Sequence, residues 1–163
     1  MLVWHLLYTP DLYCSLENSL YIKLYKSGIH VFKNNPWLGV GNKNYRVETC
    51  KAEKNLIYKE YWCLTHPHQV YIEMLSEHGI IGTIIIFSII FYLMFRIIRK
   101  IIHSRNYVQA GCLAFLLINF VPLLPSGAFF NNFNLTLFMI NLSLMYATNK
   151  ETNIFSKKND INI

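Results

Sequence analysis

The fold of this chain is decided by residues 65–82, THPHQVYIEMLSEHGIIG, where a polar, histidine-rich start runs directly into a long apolar segment. Pro67 suits the first turn of a helix, where its missing N–H group costs no hydrogen bond, and Thr65 or His66 can cap that helix from outside. The pattern therefore predicts a helix that begins near Pro67. Such a helix would place polar side chains at the edge of a membrane span.

His68 is the most informative side chain of this stretch. The predicted helix places it in the first turn, on the same face as Tyr71, Ile72 and Leu75. The opposite face carries Gln69, Glu73 and Glu77. An imidazole at a helix N-terminus is pushed toward its neutral, proton-accepting form, and unpaired N–H groups there attract phosphate oxygens. His68 is therefore a candidate general base beside an anionic substrate. The alternative is a histidine at a membrane-water boundary, hydrogen-bonded to a neighbour.

The composition favours a membrane protein. Of the 163 residues, 53% are hydrophobic and 15% are charged, whereas soluble domains typically have about a quarter charged residues. Lys and Arg outnumber Asp and Glu by 15 to 9. These basic residues lie mainly between and after apolar runs, where membrane proteins place them. This distribution argues against a nucleic-acid-binding surface.

Residues 16–32 are predicted to form an amphipathic helix, with Lys23, Lys26 and His30 on its polar side. The apolar side chains that recur at helical spacing are Leu16, Leu20, Leu24, Tyr21, Tyr25, Ile29 and Phe32. A helix packed on its neighbours and a helix at a membrane surface both fit this pattern. The sequence Asn34-Asn35-Pro36 ends the helix in either case.

A glycine turn, Gly39-Val40-Gly41, follows this helix. Glycines allow a positive φ or the close approach of another group to the backbone. Lys43 and Arg46 come next, and exposed backbone N–H groups together with a guanidinium can share the oxygens of a phosphate. The turn is therefore a candidate phosphate cradle. A solvated loop is the ordinary alternative, and the strand-turn-helix pattern of a nucleotide-binding fingerprint does not surround it.

Cys50 and Cys63 flank a polar segment rich in Lys, Glu and Tyr. In an oxidising compartment, a disulfide that closes a loop of this size stabilises a fold by about 3 kcal/mol in the chain-entropy model. Two unpaired thiols are the alternative. Cys14 and Cys112 show no evident relation to this pair.

Three apolar segments predict three transmembrane helices, at about residues 79–95, 108–124 and 128–148. About 17 residues at 1.5 Å each span roughly 26 Å, close to the hydrocarbon thickness of about 30 Å. The third segment contains four asparagines, which suit contacts with other helices. The predicted fold class is therefore an all-α membrane protein, with residues 1–78 as a helical extracytoplasmic loop region and residues 149–163 as a polar cytoplasmic tail.

The basic residues set the predicted orientation. Those between the first and second spans are Arg96, Arg99, Lys100 and Arg105, and those after the third are Lys150, Lys157 and Lys158. Both sets belong on the cytoplasmic side by the positive-inside rule, so residues 125–127 and everything before Gly79 face outside. Residues 1–15 lack the pattern of a signal peptide that would export such a loop. The sequence therefore predicts a part of a larger polytopic protein, or one half of a split one.

Two motifs resemble the O-antigen ligase and O-antigen polymerase family of bacterial membrane proteins. His68-Gln69, followed after nine residues by Gly79-Ile80-Ile81-Gly82, is similar to the family signature His-[Asn/Ser/Gln]-x9-Gly-x-x-[Gly/Thr/Tyr]. Residues 35–41, NPWLGVG, resemble the family's Asn-Pro-x-x-Gly-x-Gly turn, which precedes the signature by a similar interval. The resemblance covers about residues 16–148. It corresponds to the large periplasmic loop and last membrane helices of larger proteins.

The resemblance implies a glycosyltransferase that needs neither a nucleotide sugar nor a metal or other cofactor. Such enzymes move a glycan from a polyprenyl-pyrophosphate carrier, on the periplasmic face of the inner membrane, to a sugar acceptor. The acceptor is lipid A-core for ligases and another repeat unit for polymerases. The reaction needs cations that hold the pyrophosphate and a base that deprotonates the acceptor hydroxyl. His68 matches the family's loop histidine and is the expected base or acceptor-orienting group.

The expected substrate-binding residues are Arg46, Lys43, Gln69, Gly39 and Gly41. Many relatives carry an arginine near the position of Tyr21, where this chain offers Tyr21 and then Lys23. A lysine lacks the bidentate fork of an arginine, so the second phosphate ligand has no direct match here. The expected partners are the glycan donor, the acceptor, membrane lipids and an upstream membrane half of the same protein, and not nucleic acid.

Two other interpretations stay open from the sequence. His66 and His68 could bind zinc with Glu73 or Glu77, although the two histidines would point to different sides of a helix and no third ligand is convincingly spaced. The stronger alternative is a non-catalytic membrane subunit or an inactive fragment of a family member. A scaffold would not respond to His68→Ala, and a metal enzyme would be sensitive to a chelator.

Overall fold

A computed structural model describes residues 19–51, 59, 61–122 and 124–153 of the chain. All regular structure in these ranges is helical, which confirms the all-α part of the predicted fold class. The helices are α1 (Leu20–Asn34), α2 (Tyr45–Thr49), α3 (Val70–Arg96), α4 (Ile98–Ser104), α5 (Tyr107–Ile118) and α6 (Asn132–Ala147). The predictions that concern Cys14, Leu16, Lys157 and Lys158 lie outside the described residues.

The chain divides into two compact units. In the described ranges, the first unit extends to Thr83 and takes in residues 124–130, and the second consists of Ile84–Pro122 and the residues from Asn131 onward. The chain therefore leaves the first unit within α3 and returns to it just before α6. The predicted site residues all lie in the first unit.

Helix α1 ends as predicted but buries only part of the predicted apolar stripe, together with small residues beside it. The N–H group of Asn35 donates to the carbonyl oxygens of Val31 and Phe32 at its end. The buried residues are Leu24, Tyr25, Ser27, Gly28 and Val31. Leu20, Tyr21 and Ile29 from the predicted apolar stripe are instead exposed. A Cβ atom at Gly28 would lie only 2.9 Å from Pro67, so the missing side chain lets α1 approach the segment that leads into α3.

Helix α3 begins later than predicted. Its first residue is Val70, so the placement of His68 in the first helical turn is wrong. His68 has a left-handed φ of 57°, which is incompatible with a helix that runs on from Pro67. The side-chain oxygen of Gln69 accepts a hydrogen bond from the Ile72 N–H group at 2.8 Å. Gln69 thus takes the capping role that the sequence assigned to Thr65 or His66.

The second unit is built from apolar helices. Its core includes a cluster of phenylalanine rings with centroids 5.1–5.9 Å apart, formed by Phe87, Phe91, Phe120 and Phe138. The Tyr146 hydroxyl donates to the Leu93 carbonyl oxygen at 2.8 Å. Gln109 is fully buried, and its side-chain amide donates to the Met145 carbonyl oxygen at 2.7 Å.

The helices of this unit are shorter than the predicted spans. Helix α5 has 12 residues and α6 has 16, which correspond to about 18 and 24 Å. By length and composition, one stretch in the described part of the chain, Val70–Ser104, is suited to cross a membrane. Helix α5 is apolar but shorter. The three spans stay a prediction.

Candidate functional site

Helix α3 is interrupted at Gly79, the first glycine of the Gly-x-x-Gly motif. Gly79 has φ 62° and ψ −170°, which lie outside the helical range. Such a break leaves carbonyl groups before it and N–H groups after it without helical partners. Because Gly79 is buried, these groups require partners from the protein.

The loop of the Asn-Pro-x-x-Gly-x-Gly motif supplies these partners. Two of its N–H groups donate to α3 before the break, and two of its carbonyl oxygens accept from α3 after it. The four bonds are Val40 N to Ser76 O (3.0 Å), Gly41 N to Glu77 O (2.8 Å), Ile80 N to Pro36 O (2.8 Å) and Ile81 N to Trp37 O (3.3 Å). The two motifs are therefore two halves of one backbone arrangement.

Gly39 and Gly79 meet where the loop crosses the helix. Their φ angles are 66° and 62°, a region that side chains rarely tolerate. A Cβ atom on Gly39 would lie 2.5 Å from the Glu77 carbonyl oxygen, and one on Gly79 would lie 2.6 Å from the Leu38 nitrogen. Both glycines thus combine a positive φ with close backbone approach, the two roles considered for the turn from the sequence.

Glu77 binds the segment that follows the glycine turn. Its side chain is 2% exposed. Oε2 accepts from the Lys43 N–H group at 2.9 Å, and Oε1 accepts from the Tyr45 N–H group at 3.4 Å. Burial raises the pKa of Glu77, while these two N–H groups and the Lys43 charge lower it. Lys43 itself has φ 60°, a conformation that a residue with a side chain keeps only when its surroundings support it.

This arrangement changes the interpretation of the phosphate cradle. The N–H groups that the sequence offered to a phosphate donate instead to Ser76 and Glu77, and they belong to Val40, Gly41, Lys43 and Tyr45. The Lys43 and Arg46 side chains are exposed. Any phosphate contact by this loop therefore depends on these two side chains and not on the bonded backbone amides.

Helix α2 carries Arg46 beside an anchored tyrosine. Tyr45 is fully buried, and its hydroxyl donates to Ser27 Oγ at 2.8 Å. Burial raises the pKa of Tyr45 to about 12, although the hydrogen bond with Ser27 has the opposite effect. Cys50, which follows α2, forms a disulfide with Cys63, and their Cα atoms are 4.4 Å apart. This is the pairing considered from the sequence.

Glu73 binds a different segment, residues 124–130. Its side chain is 2% exposed, and its two oxygens accept from the Phe129 N–H group at 3.0 and 3.1 Å. Burial, together with the Glu77 charge, raises the pKa of Glu73 to about 7. The Phe129 and Phe130 N–H groups act in the opposite direction. The sequence pattern gave no sign of this burial.

The same segment reaches His68. The Ser126 N–H group donates to the His68 carbonyl oxygen at 2.9 Å. The His66 and His68 ring centroids are 4.0 Å apart, and the Tyr21 ring lies edge-on to His68 at 6.0 Å. Burial and the neighbouring His68 lower the pKa of His66, against an opposing effect of the Ser126 backbone. His68 is half-buried, so part of its surface is open to another molecule.

Helix α1 carries the position near which the resemblance expects an arginine. Tyr21 contributes the ring beside His68. The Lys23 Nζ atom lies 5.2 Å from the centroid of the Trp62 ring, a cation-π distance. The lysine closest in sequence to the expected arginine is thus engaged with an aromatic ring.

The structure places the predicted site residues in two groups along one helical segment. His68 and Gln69 lie at the start of α3, and the glycine turn with Lys43 docks around Glu77 near the break. Eight residues separate Gln69 from Glu77, which is about 12 Å along a helix axis. Both groups belong to the same compact unit.

The zinc alternative finds no support in the described ranges. Three or more His, Cys, Asp or Glu side chains arranged for a metal do not occur there. The Glu73 and Glu77 carboxylates instead accept hydrogen bonds from backbone N–H groups. His66 and His68 therefore lack a third ligand in this arrangement.

Comparison with known families agrees with the motifs. A family model described as O-Antigen ligase matches residues 15–87, a range that contains both the glycine turn and the Gly79 break. No curated protein and no solved structure shows significant similarity to the chain. The segment 124–130 lies beyond the matched range. Residues 15–87, somewhat less than half of this chain, are similar to the O-antigen ligase family.

Proposed function

We propose that the chain is the C-terminal part of an O-antigen ligase-like or polymerase-like glycosyltransferase. It moves a glycan from a polyprenyl-pyrophosphate carrier to a sugar acceptor, lipid A-core or a repeat unit, in lipopolysaccharide or surface polysaccharide synthesis. The proposal is supported mainly by the backbone docking of the two family motifs around Gly79. This docking puts His68 and the Lys43–Arg46 loop on one compact unit.

The proposed reaction is a displacement at the anomeric carbon of the donor glycan. An acceptor hydroxyl oxygen bonds to that carbon, the bond from the carbon to the pyrophosphate oxygen breaks, and the hydroxyl proton moves to a base. We assign the base, or an acceptor-orienting role, to His68. The imidazole is half-buried and its backbone is fixed by Ser126, which supports a defined orientation.

The assignment sets a requirement on how the donor lies along α3. A base lies about 2.6–3.2 Å from the hydroxyl it deprotonates, and the reacting atoms lie about 3–3.5 Å apart. The leaving pyrophosphate is therefore farther from the base than the anomeric carbon. Glu77, which binds the Lys43 backbone, lies about 12 Å along the helix from Gln69, so the donor has to extend toward this loop for Lys43 and Arg46 to stabilise the charge that develops on the pyrophosphate.

We place this site on the periplasmic side of the bacterial inner membrane, in a multi-pass protein. The stretch Val70–Ser104 contains an apolar window suited to a membrane crossing, and we place that crossing after the Gly79 break, so that Glu73 and Glu77 lie outside it. Arg99 and Arg105, within and just after α4, are exposed basic residues of the kind that mark a cytoplasmic side. Residues 124–130 share the first unit with the site, as two crossings between Ile84 and Pro122 would require.

The test of this function is glycan transfer from a polyprenyl-pyrophosphate-linked donor in membranes that contain the chain, expressed alone and from its genomic region. Arg46→Ala should raise the donor KM about ten-fold and leave the acceptor KM unchanged. Arg99→Ala, an exposed arginine of the second unit, is the matched control. Equal effects of Arg46→Ala on donor and acceptor would argue against a pyrophosphate role.

The second candidate function is a non-catalytic membrane subunit or an inactive fragment of such a protein. The occupied backbone amides of the glycine turn favour it, because they remove one source of phosphate contact. Transfer that is insensitive to changes at both His68 and Arg46 would support this candidate. Transfer that persists in EDTA would agree with the metal-independent reaction.

A further inference from the structure

We propose that Glu73 and Glu77 are positioning residues that divide the site between them. Glu77 holds the Lys43–Arg46 loop, which faces the donor, and Glu73 holds the 124–130 segment beside His68. What the two segments do rests on the proposed function. What holds them in place rests on the hydrogen bonds of the described residues.

The two carboxylates are four residues apart and so lie on one face of α3. Each is 2% exposed, and a buried carboxylate is stable only when hydrogen bonds or charges compensate its lost hydration. The partners are backbone N–H groups 32 and 34 residues away for Glu77 and 56 residues away for Glu73. Each carboxylate therefore fixes one distant segment on the same face.

Glu77 is the anchor of the loop beyond the glycine turn. The backbone bonds from the loop to α3 end at Gly41, and the next bonds to α3 are those that Glu77 accepts from Lys43 and Tyr45. Lys43 is held at φ 60°, which the loop would relax if this anchor were removed. Arg46 is the second residue of α2, which begins at Tyr45. Loss of Glu77 should therefore displace both candidate cations.

Glu73 is the anchor of the segment that fixes His68. Phe129 is bound by Glu73, and three residues earlier Ser126 binds the His68 carbonyl oxygen. His68 has a left-handed backbone that also depends on its surroundings. Residues 124–130 lie outside the range matched by the family model. Their contribution to the site is visible only in the fold.

The first experiment measures amide hydrogen exchange of the full chain in detergent micelles. A glutamine at position 77 keeps one acceptor oxygen for two N–H groups, so Glu77→Gln should speed exchange at Lys43 or Tyr45 about ten-fold and leave Phe129 unchanged. Glu77→Ala should speed both, and Glu73→Ala should speed Phe129 and Ser126 instead. Unchanged exchange at Lys43 and Tyr45 in Glu77→Gln would overturn the proposal. If the alanine variants fail to fold, the Glu77→Gln result alone tests the proposal.

The second experiment separates positioning from a general structural role through transfer kinetics. Glu77→Gln should raise the donor KM about ten-fold with the acceptor KM within two-fold. Glu73→Ala should lower kcat with the donor KM within two-fold. Similar losses for both variants on both substrates would overturn the division of roles. If His68→Ala leaves transfer intact, the proposed function fails, whereas the exchange pattern still decides whether the carboxylates hold these segments.

Discussion

Gly79 is the residue on which the first unit depends most directly. Its positive φ breaks α3, and its missing side chain admits the loop backbone at Leu38. An alanine would have to adopt a strained conformation and would also overlap that backbone. Gly111 differs in both respects, because it lies in the middle of α5 and a Cβ atom there meets nothing within 4 Å.

Gly79→Ala should lower the free energy of unfolding by about 1–3 kcal/mol from backbone strain, with the overlap adding to this loss. Gly111→Ala should raise it by about 0.5–1 kcal/mol, since alanine is the better helix former. Denaturant titration of both variants in the same detergent checks the prediction. A Gly79→Ala variant as stable as Gly111→Ala would contradict the structure of the break.

Glu73 predicts a pH dependence of stability. Its pKa is raised from 4.5 to about 7 in the fold, so between these values the folded state keeps a proton that the unfolded chain has lost. The free energy of unfolding should therefore fall as pH rises from about 4.5 to 7, by about 3 kcal/mol from this group. Glu73→Gln should lose this part of the dependence in denaturant titrations. An unchanged pH profile in Glu73→Gln would contradict it.

Glu73 and Glu77 also show the limit of sequence interpretation at the residue scale. Their four-residue spacing predicts a polar stripe on the helix, and polar stripes usually face solvent. Here the stripe is buried because its partners are backbone N–H groups, which carry no side-chain signal. The conformational roles of the two glycines were predictable because their spacing forms a motif, whereas the chemical role of His68 in the same motif stays a prediction.

At the scale of elements, α3 and the loop of residues 36–41 form a single arrangement. The sequence predicted an apolar helix and a glycine turn but not that the turn completes the broken helix. The pairing brings together segments some forty residues apart, and hydrophobic periodicity does not report such contacts. The predicted start of α3 was wrong for a related reason, since His68 adopts a left-handed conformation and Gln69 caps the helix after it.

The disulfide is the element-scale feature with the simplest test. Cys50 and Cys63 join the end of α2 to the segment whose Trp62 N–H group donates to Ser27 Oγ at 3.0 Å. Reduction should cost about 3 kcal/mol, because a loop of this size is released in the unfolded chain. A reductant should lower the melting temperature of the native chain and not that of a Cys50→Ser, Cys63→Ser variant. Equal sensitivity of both would exclude a stabilising disulfide.

At the scale of the whole molecule, the path of the chain bears on the membrane topology. The chain leaves the first unit at Ile84 and re-enters it after Pro122. If the intervening residues cross a membrane, they cross it an even number of times, which agrees with the orientation predicted from the basic residues. Composition and apolar runs predict such crossings, and these stay a prediction. The lengths of α5 and α6 were overestimated because apolar residues continue beyond the helix ends.

This topology predicts the labelling of one added cysteine at a time, in a chain whose Cys14 and Cys112 are replaced by serine and whose Cys50 and Cys63 stay in their disulfide. Asn42→Cys and Pro125→Cys, both exposed in the first unit, should react in spheroplasts with a maleimide that does not cross membranes. His103→Cys, exposed on α4, should react only after the membrane is permeabilised. Labelling of positions 42 and 125 from opposite sides would contradict the predicted topology.

The most direct test of the central claim, that the two docked motifs form a glycan-transfer site around His68, is the rate of transfer by His68→Ala in membranes with the chain expressed from its genomic region. Loss of a general base should lower kcat about 10²–10⁴-fold, with the donor KM nearly unchanged. His103→Ala, an exposed histidine of the second unit, should retain full activity. Transfer by His68→Ala at the rate of His103→Ala would contradict the account.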